Sequence, residues 1–327
     1  MNTPHISDGP TKRYSRNTAQ ASSPAVLVLL AAYNGAKWIQ EQIESILSQN
    51  HVAASIVISD DNSTDETRTL LEHSFGDNPR ITILPPSKPS GSASQNFFSL
   101  IRRIPIGNFD YVALSDQDDV WFPNKLVDAI TAIENSSAVA YSSATIARWP
   151  DGSTHLITLD RPQTCSDYLF EGAGQGCTFL LSRNFYADIH EFLSKHTPLT
   201  ASLHFHDWTI YALARSWGLT WQLDPTPSMT YRQHASNDTG ARTSIRGILN
   251  RFASIRNGWY FTQLSLIASI CHKAAPNNYT VTRLHQLLNA PRTISRTFSL
   301  IRFCLNGGRR RRTDNLILIF ACIFGWI

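Results

Sequence analysis

Three carboxylates stand within four residues at Asp116-Gln117-Asp118-Asp119. Their mutual repulsion has to be offset, and a cation is the usual means. Carboxylates two apart can converge once the chain leaves regular strand geometry. Their hard oxygens suit Mg²⁺ or Mn²⁺, ions that keep some water and also bind substrate phosphates. A second acidic pair, Asp60-Asp61, can accept hydrogen bonds from a base N–H or a ribose hydroxyl. Asp61 or Ser63 would equally serve to cap the helix that follows. Farther along lies His204-Phe205-His206-Asp207. Two histidines two apart can share a metal, but zinc hydrolase patterns need further histidines at set spacings. A hydrogen-bonded structural role is an equal reading of His206, and Asp207 could cap a helix through Trp208, Ile210 and Tyr211. Neither a GxGxxG fingerprint nor a Walker A loop is present. Phosphate binding would therefore rest on metal rather than on a glycine cradle.

These acids need elements to carry them. Val26–Tyr33 is a continuous apolar run of strand length, the pattern of a parallel sheet covered on both faces. Asn34-Gly35 ends it, and Ile39, Ile43, Ile46 and Leu47 then recur at helical spacing. Ser55–Ser59 is a second strand, and Ser63-Thr-Asp-Glu66 has the capping-box pattern of a helix start. Ile81–Leu84 and Phe109–Leu114 follow as strands, with a helix through Phe97, Leu100 and Ile101 between them. Pro123 suits the first turn of a helix carrying Leu126, Ile130 and Ile133. Val139–Ile146 is a fifth strand. Such alternation predicts a doubly wound α/β fold, whose ligands sit beyond the C-terminal strand ends. Tyr33-Asn34-Gly35, Asp60-Asp61 and Asp116–Asp119 all fall at those ends.

Composition is that of an ordinary globular protein with apolar mass enough for a full core: 327 residues, 42% hydrophobic and 17% charged. Five cysteines without a CxxC pair argue against a disulfide framework or a thiolate zinc site and favour a reducing cytosol. Residues 1–23 are polar, lack the apolar core of a secretory signal and are expected to form a disordered tail. Charge is unevenly spread. Residues 241–327 hold 13 Lys/Arg and one acid, Asp314, a formal +12; residues 1–240 hold 16 Lys/Arg and 24 acids, a formal −8. A basic helical C-terminal region of this kind suggests an anionic partner, although a solvated helical surface would read the same. Ile248, Leu249 and Phe252, then Leu264, Leu266 and Ile267, mark its helices. Near its end Arg309–Arg312 precede Leu316–Ile327, twelve almost wholly apolar residues. As a helix that stretch spans ~18 Å, short of a ~30 Å hydrocarbon core. It suits the membrane interface beside the arginines, or a buried terminal helix.

Four segments carry a specific resemblance: Leu30-Ala-Ala-Tyr-Asn-Gly35, Ile58-Ser-Asp-Asp-Asn-Ser-Thr-Asp65, Gly91 to Asn96-Phe97, and Leu114-Ser-Asp-Gln-Asp-Asp-Val-Trp121. In order and spacing they resemble family 2 glycosyltransferases of the GT-A fold. Gly172–Cys177, His206-Asp207-Trp208 and Tyr231-Arg-Gln-His234 resemble the bacterial rhamnosyltransferase-like branch of that family. The likeness covers about residues 25–240, so residues 24–240 are expected to form the GT-A catalytic domain, a mainly parallel twisted sheet flanked by helices. It implies that Ala31, Tyr33, Asp60 and Asp61 contact nucleobase and ribose, and that Gly91, Asn96, Asp116 and Gln117 lie at the nucleotide-sugar. It further implies Asp116 and Asp118 as the metal-binding DxD, with Asp118 nearest the ion, His234 as a third group there, and Asp207 as general base. The implied cofactor is Mg²⁺ or Mn²⁺ and the implied donor a dTDP- or UDP-sugar, with rhamnose favoured. The implied acceptor is a glycan or lipid-linked glycan of surface polysaccharide, at the inner face of the cytoplasmic membrane.

Gly172–Gly176 reads as a tight loop near the donor sugar or as a flexible turn. Trp121 and Trp208 could stack on sugars, but buried aromatics are the commoner outcome. Two other function classes compete: a nucleotide-sugar-binding protein of the same fold without turnover, and a nucleic-acid binder using the basic C-terminal region. Retention of Asp116, Asp118 and Asp207 disfavours the first. The second lacks a recognisable module of interleaved aromatic and basic residues.

Overall fold

A computed structural model describes residues 23–234, 253 and 255–327. The expected disordered tail and the helical positions Ile248, Leu249 and Phe252 lie outside the described residues, apart from Ser23 in the tail.

Strand β1 (Ala25–Ala32) is the sheet's centre of gravity. It pairs in parallel with β2 (Ala53–Asp60) on one side and β4 (Tyr111–Ser115) on the other, and β3 (Ile81–Ile83) extends the parallel set. Alternate residues of β1 bury into two layers. Val26, Val28 and Leu30 face α1 (Ile39–Leu47), α2 (Thr67–Phe75) and α4 (Lys125–Ser136). Leu27, Leu29 and Ala31 share a core with α3 (Ala93–Arg103), α5 (Arg183–Lys195) and α7 (His206–Ser216), the one-turn α6 (Thr197–Thr200) lying between the last two in sequence. Coverage on both faces explains why the strand is apolar throughout.

Beyond β4 the sheet becomes mixed. The expected fifth strand is β6 (Ala140–Arg148), but antiparallel β8 (Leu180–Ser182) separates it from β4. Long β9 (Trp221–Arg232) runs parallel to β6 and pairs antiparallel with β5 (Val120–Trp121), while β7 (Thr154–Ile157) hangs on β6. Residues after the acidic loop are thereby carried back beside residues 228–232.

Helix α2 begins at Thr67, four residues past the Ser63 capping-box position, with no side-chain cap. Its N-cap residue, Glu66, makes no such bond; Asp65 Oδ1 instead accepts from Thr67 N–H (3.0 Å), and the remaining polar groups bind the neighbouring loop. Asn34 N–H donates to Ser63 Oγ (2.8 Å), Thr64 N–H to Asn34 Oδ1 (2.8 Å), and Ala36 N–H to Asp65 Oδ2 (3.2 Å). The ends of β1 and β2 are laced together as a result. Asn34 and Asn62 adopt left-handed φ of 52° and 61° there, the conformation that asparagine tolerates best after glycine.

The C-terminal helices α8 (Trp259–Ala274), α9 (Tyr279–Asn289), α10 (Ile294–Leu305) and α11 (Arg312–Ile323) close the second face. Leu264, Ile267, Leu284, Leu300 and Leu318 belong to the same buried cluster as Leu27 and Phe97. Among the described residues no helix is long and apolar enough to cross a membrane.

Candidate active site

The acidic loop leaves β4 at Ser115, whose hydroxyl accepts from Gln42 Nε2 (2.7 Å) and donates to the Asp116 carbonyl (2.8 Å). Gln117 then folds back on the end of β1. Its Nε2 donates to the Tyr33 carbonyl (2.7 Å), and its Oε1 accepts from Tyr33 N–H. A side chain at Gly35 would meet Gln117 at 2.8 Å, so this clamp needs glycine. Tyr33 itself is 54% exposed at the loop tip, open to a ligand.

Asp60 and Asp61 have different jobs. Asp61 accepts from Ser90 N–H (2.6 Å), Ser90 Oγ (2.8 Å) and Gly91 N–H (3.2 Å), so both of its oxygens hold the 87–91 loop. Asp60 accepts from Ser63 N–H and Oγ through Oδ1. Asn96 is buried and donates to the Ser59 carbonyl (3.0 Å), tying α3 to the end of β2. Ala31 is buried in β1 opposite Ser59. The sequence-predicted donor residues therefore line one edge. Asp61 and Asn96 build its wall, while Tyr33 stands at its rim.

The carboxylates of the acidic loop face different partners. Asp118 Oδ2 lies 2.8 Å from His234 Nε2, and His234 stacks on Trp38 with centroids 4.1 Å apart. Arg232 donates to the Asp118 carbonyl (2.9 Å) and pairs with Glu41 (2.7 Å). Asp119 is fully buried. Desolvation, then the charges of Asp118 and Asp116, hold its carboxyl well above the usual range. Its Oδ2 is buried without a hydrogen-bond partner. Sequence reasoning placed no role on Asp119, nor on Cys177, whose ligand atom lies with those of Asp116 and Asp119 inside a 4.8 Å cluster. The buried thiol is pushed well up by desolvation and by the same carboxylates, so it stays protonated and is a poor partner for a hard cation. Buried Lys125 stands next to them, pushed down to about 8 by desolvation, with Nζ donating to the Thr178 carbonyl (3.2 Å). A crowded carboxylate set in which the buried Asp119 Oδ2 has no hydrogen-bond partner has the chemistry that a hard divalent cation would suit.

Asp207 sits in the first turn of α7, and its Oδ1 accepts from Trp208 N–H (2.7 Å). The helix cap is Phe205, not Asp207. Burial pushes the Asp207 carboxyl up to about 6. His206 stacks on Phe97 with centroids 4.1 Å apart, and desolvation pushes it down to about 3, a neutral imidazole. His204 turns toward Phe205 and Trp259, so the two histidines do not converge on a metal.

Gly172–Gly176 is not a free turn. A side chain at Gly172 would lie 3.4 Å from Trp208 Cα. One at Gly176 would collide with His206 Nε2 and lie 3.3 Å from Asp207 Cβ. The loop thus rests on the start of α7, and Cys177, the next residue, stands at the acidic cluster. Trp121 and Trp208 are both buried, 3% and 5% exposed, and act as core rather than as sugar platforms.

Arg309 and Arg310 turn inward instead of facing solvent. Arg310 pairs with fully buried Asp167 (3.0 Å) and with Glu171 (3.3 Å), and donates to the Gly172 carbonyl (2.5 Å). Arg309 reaches Glu171 (3.4 Å), and Arg215 completes the network on Asp167 (3.5 Å). Desolvation raises Asp167, and the two arginines that touch it draw it back toward the charged form.

Comparison with known proteins places this geometry. Residues 27–186 match the model of glycosyl transferase family 2. A dTDP-rhamnosyl transferase, RfbG of Shigella flexneri, is 38% identical over 241 residues, covering 73% of this chain and 83% of that one. The chain belongs to glycosyltransferase family 2 and is a glycosyltransferase. A putative teichuronic acid biosynthesis glycosyltransferase, TuaG of Bacillus subtilis, is 32% identical over 120 residues, 36% of this chain and 46% of that one. Among solved structures, S. aureus TarS residues 1–349 in complex with UDP-GlcNAc aligns over 90% of this chain and 79% of that one. Its TM-score is 0.55 at 15% identity, a likeness of GT-A fold.

Proposed function

We propose that this chain transfers rhamnose from a thymidine-diphosphate donor, with inversion, to a glycan or lipid-linked glycan of bacterial surface polysaccharide. The carrying observation is the Gly176–Cys177 segment. Gly176 lies against Asp207 and Cys177 against Asp116 and Asp119, so two consecutive residues neighbour both a carboxylate raised toward neutrality and the acidic cluster. The 38% identity to a dTDP-rhamnosyl transferase supports the donor.

Tyr33, Asp60 and the Asp61-held 87–91 loop receive nucleobase and ribose, and Gln117 sets the loop that carries Tyr33. Asp116 and Asp118, with His234, would hold Mg²⁺ or Mn²⁺. Such an ion offsets charge on the departing diphosphate. Asp207 accepts the acceptor hydroxyl's proton as that oxygen bonds to the anomeric carbon and the bond to the diphosphate breaks. With one displacement and no covalent enzyme intermediate, the anomeric centre inverts. The acceptor is presented at the inner face of the cytoplasmic membrane, with the chain bound peripherally.

The test is release of dTDP from dTDP-rhamnose by purified protein with Mn²⁺ and a bacterial lipid-linked glycan extract. Asp118→Ala and excess EDTA each abolish it. Full turnover in EDTA refutes the cation site, and turnover with other donors but none with dTDP-rhamnose refutes the proposed donor. UDP-sugars in parallel reactions distinguish the nucleotide.

A further inference from the structure

The last two helices form a packed hairpin, α10 and α11, joined by residues 306–311. Each buries one stripe: Leu300 and Cys304 on α10, Leu318, Ala321 and Cys322 on α11. The opposite stripes are apolar as well. On α10, Ile294 is 79% exposed, Phe298 69% and Leu305 64%. These positions fall on one side of a helix at 100° per residue. On α11, Leu316, Phe320, Ile323 and Phe324 are exposed at i, i+4, i+7 and i+8, again one side. Phe320, Phe324 and half-buried Trp326 gather into an aromatic cluster with centroids 4.3 to 5.8 Å apart. A contiguous apolar surface of this kind marks an interaction site.

Charge decides which partner it fits. Exposed Arg302 lies in the α10 stripe, one turn beyond Phe298, and exposed Arg311 and Arg312 stand at the start of α11. Asp314 is the one acid after residue 240. Arg309 and Arg310 are not available, being held by Asp167 and Glu171. Large apolar residues with aromatics and arginines at the edge, on helices too short to span, are the composition of a surface lying in the headgroup region of an anionic bilayer. We propose that the exposed face of the α10–α11 hairpin is a monotopic docking surface for anionic phospholipid, with Phe298, Phe320 and Phe324 inserted and Arg302, Arg311 and Arg312 on the headgroups. The inference rests on the membrane-borne acceptor proposed above and goes beyond it by naming the surface. The buried Arg310 ties that surface to Gly172, and the glycine loop leads to Asp207, so docking sets how the acceptor-side residues face the membrane.

The test is co-sedimentation of the full chain with vesicles of phosphatidylcholine alone or mixed with phosphatidylglycerol. Wild type is expected to bind the mixed vesicles more tightly, and salt should weaken binding. Phe298→Glu/Phe320→Glu should lower partitioning at least tenfold. Arg302→Gln, Arg311→Gln and Arg312→Gln should each lower it roughly fivefold, as expected for one basic residue near an anionic surface. Melting-point shifts with dTDP and Mn²⁺ report donor binding and should be unchanged in all variants, so failure of the donor reading shows separately. Three results overturn the proposal. Wild type does not sediment with anionic vesicles, or the phenylalanine variants still bind them as wild type does. Alternatively, light scattering shows a dimer that those substitutions dissociate, making the face a contact between copies.

Discussion

Asp207→Asn separates a general base from a helix-start acid, because asparagine keeps the oxygen that accepts Trp208 N–H. With the carboxyl at about 6, wild-type kcat/KM should fall as pH drops through 6, by roughly tenfold between pH 7 and pH 5. The Asn variant should lose about 10²- to 10⁴-fold at pH 7, and its residual rate should no longer follow that titration. Stability moves the other way. The folded-state value lies above the ordinary 3.8, so protonation favours the folded chain. That contribution is complete below 3.8 and lost as pH rises through 6. Keeping Asp207 charged at pH 7 then costs about 1–3 kcal/mol, taking 1.36 kcal/mol per tenfold and allowing for its partial exposure. The Asn variant should melt a few degrees higher than wild type at pH 7, and the gap should close toward pH 4. Rates against pH and thermal unfolding against pH, on both proteins, read the two effects. An Asn variant with near wild-type kcat/KM, or a wild-type rate flat from pH 7 to pH 5, refutes the assignment of Asp207 as base.

Gly176→Ala drives a methyl group into His206 Nε2, and His206 is held by its stack on Phe97. It should destabilise by about 1–3 kcal/mol in urea unfolding and lower kcat by moving Asp207. Arg310→Ala leaves fully buried Asp167 with the more distant Arg215 and the Tyr211 hydroxyl. The loss should be about 3 kcal/mol, the lower end for a broken buried pair, and should shrink at acid pH as Asp167 protonates; chemical denaturation at two pH values checks it. Gln117→Ala frees both backbone groups of Tyr33. It should raise the donor KM several-fold with little change in kcat, measured by steady-state kinetics.

The framework was legible because local pattern and tertiary role coincide in it. Val26 to Leu30 is apolar at every position and is buried on both faces, as a central parallel strand has to be. Helix spacing at Ile39, Ile43 and Ile46 reports burial just as directly. Failures came where a residue satisfies a distant partner rather than its own element. Ser63 and Glu66 have the spacing of a capping box, yet Asn34 N–H claims the Ser63 hydroxyl from across the loop and Glu66 makes no cap. The intervening β8 was hidden for a related reason. Its three residues carry no periodicity, and its place next to β4 depends on a chain reversal made far from either.

The site shows the same division more sharply. Asp116, Asp118 and Asp207 stand out in the sequence because acids at strand and helix ends are chemically conspicuous. Asp119, Lys125 and Cys177 do not, since a buried cation and a thiol acquire meaning only when a contact 58 residues away brings Cys177 beside Asp119. Arg309 and Arg310 mislead for the opposite reason. Four consecutive arginines look like a solvated or lipid-facing run, whereas two of them answer acids at 167 and 171 that cannot otherwise stay buried. These contacts converge on segment 167–177. Asp167 and Glu171 anchor the C-terminal hairpin, Gly172 and Gly176 fit against the helix of Asp207, and Cys177 reaches the acidic cluster. The start of α7 leaves no room for a side chain at 176 and little at 172, a constraint set by a helix 30 residues farther along the chain and therefore invisible in the loop's own sequence.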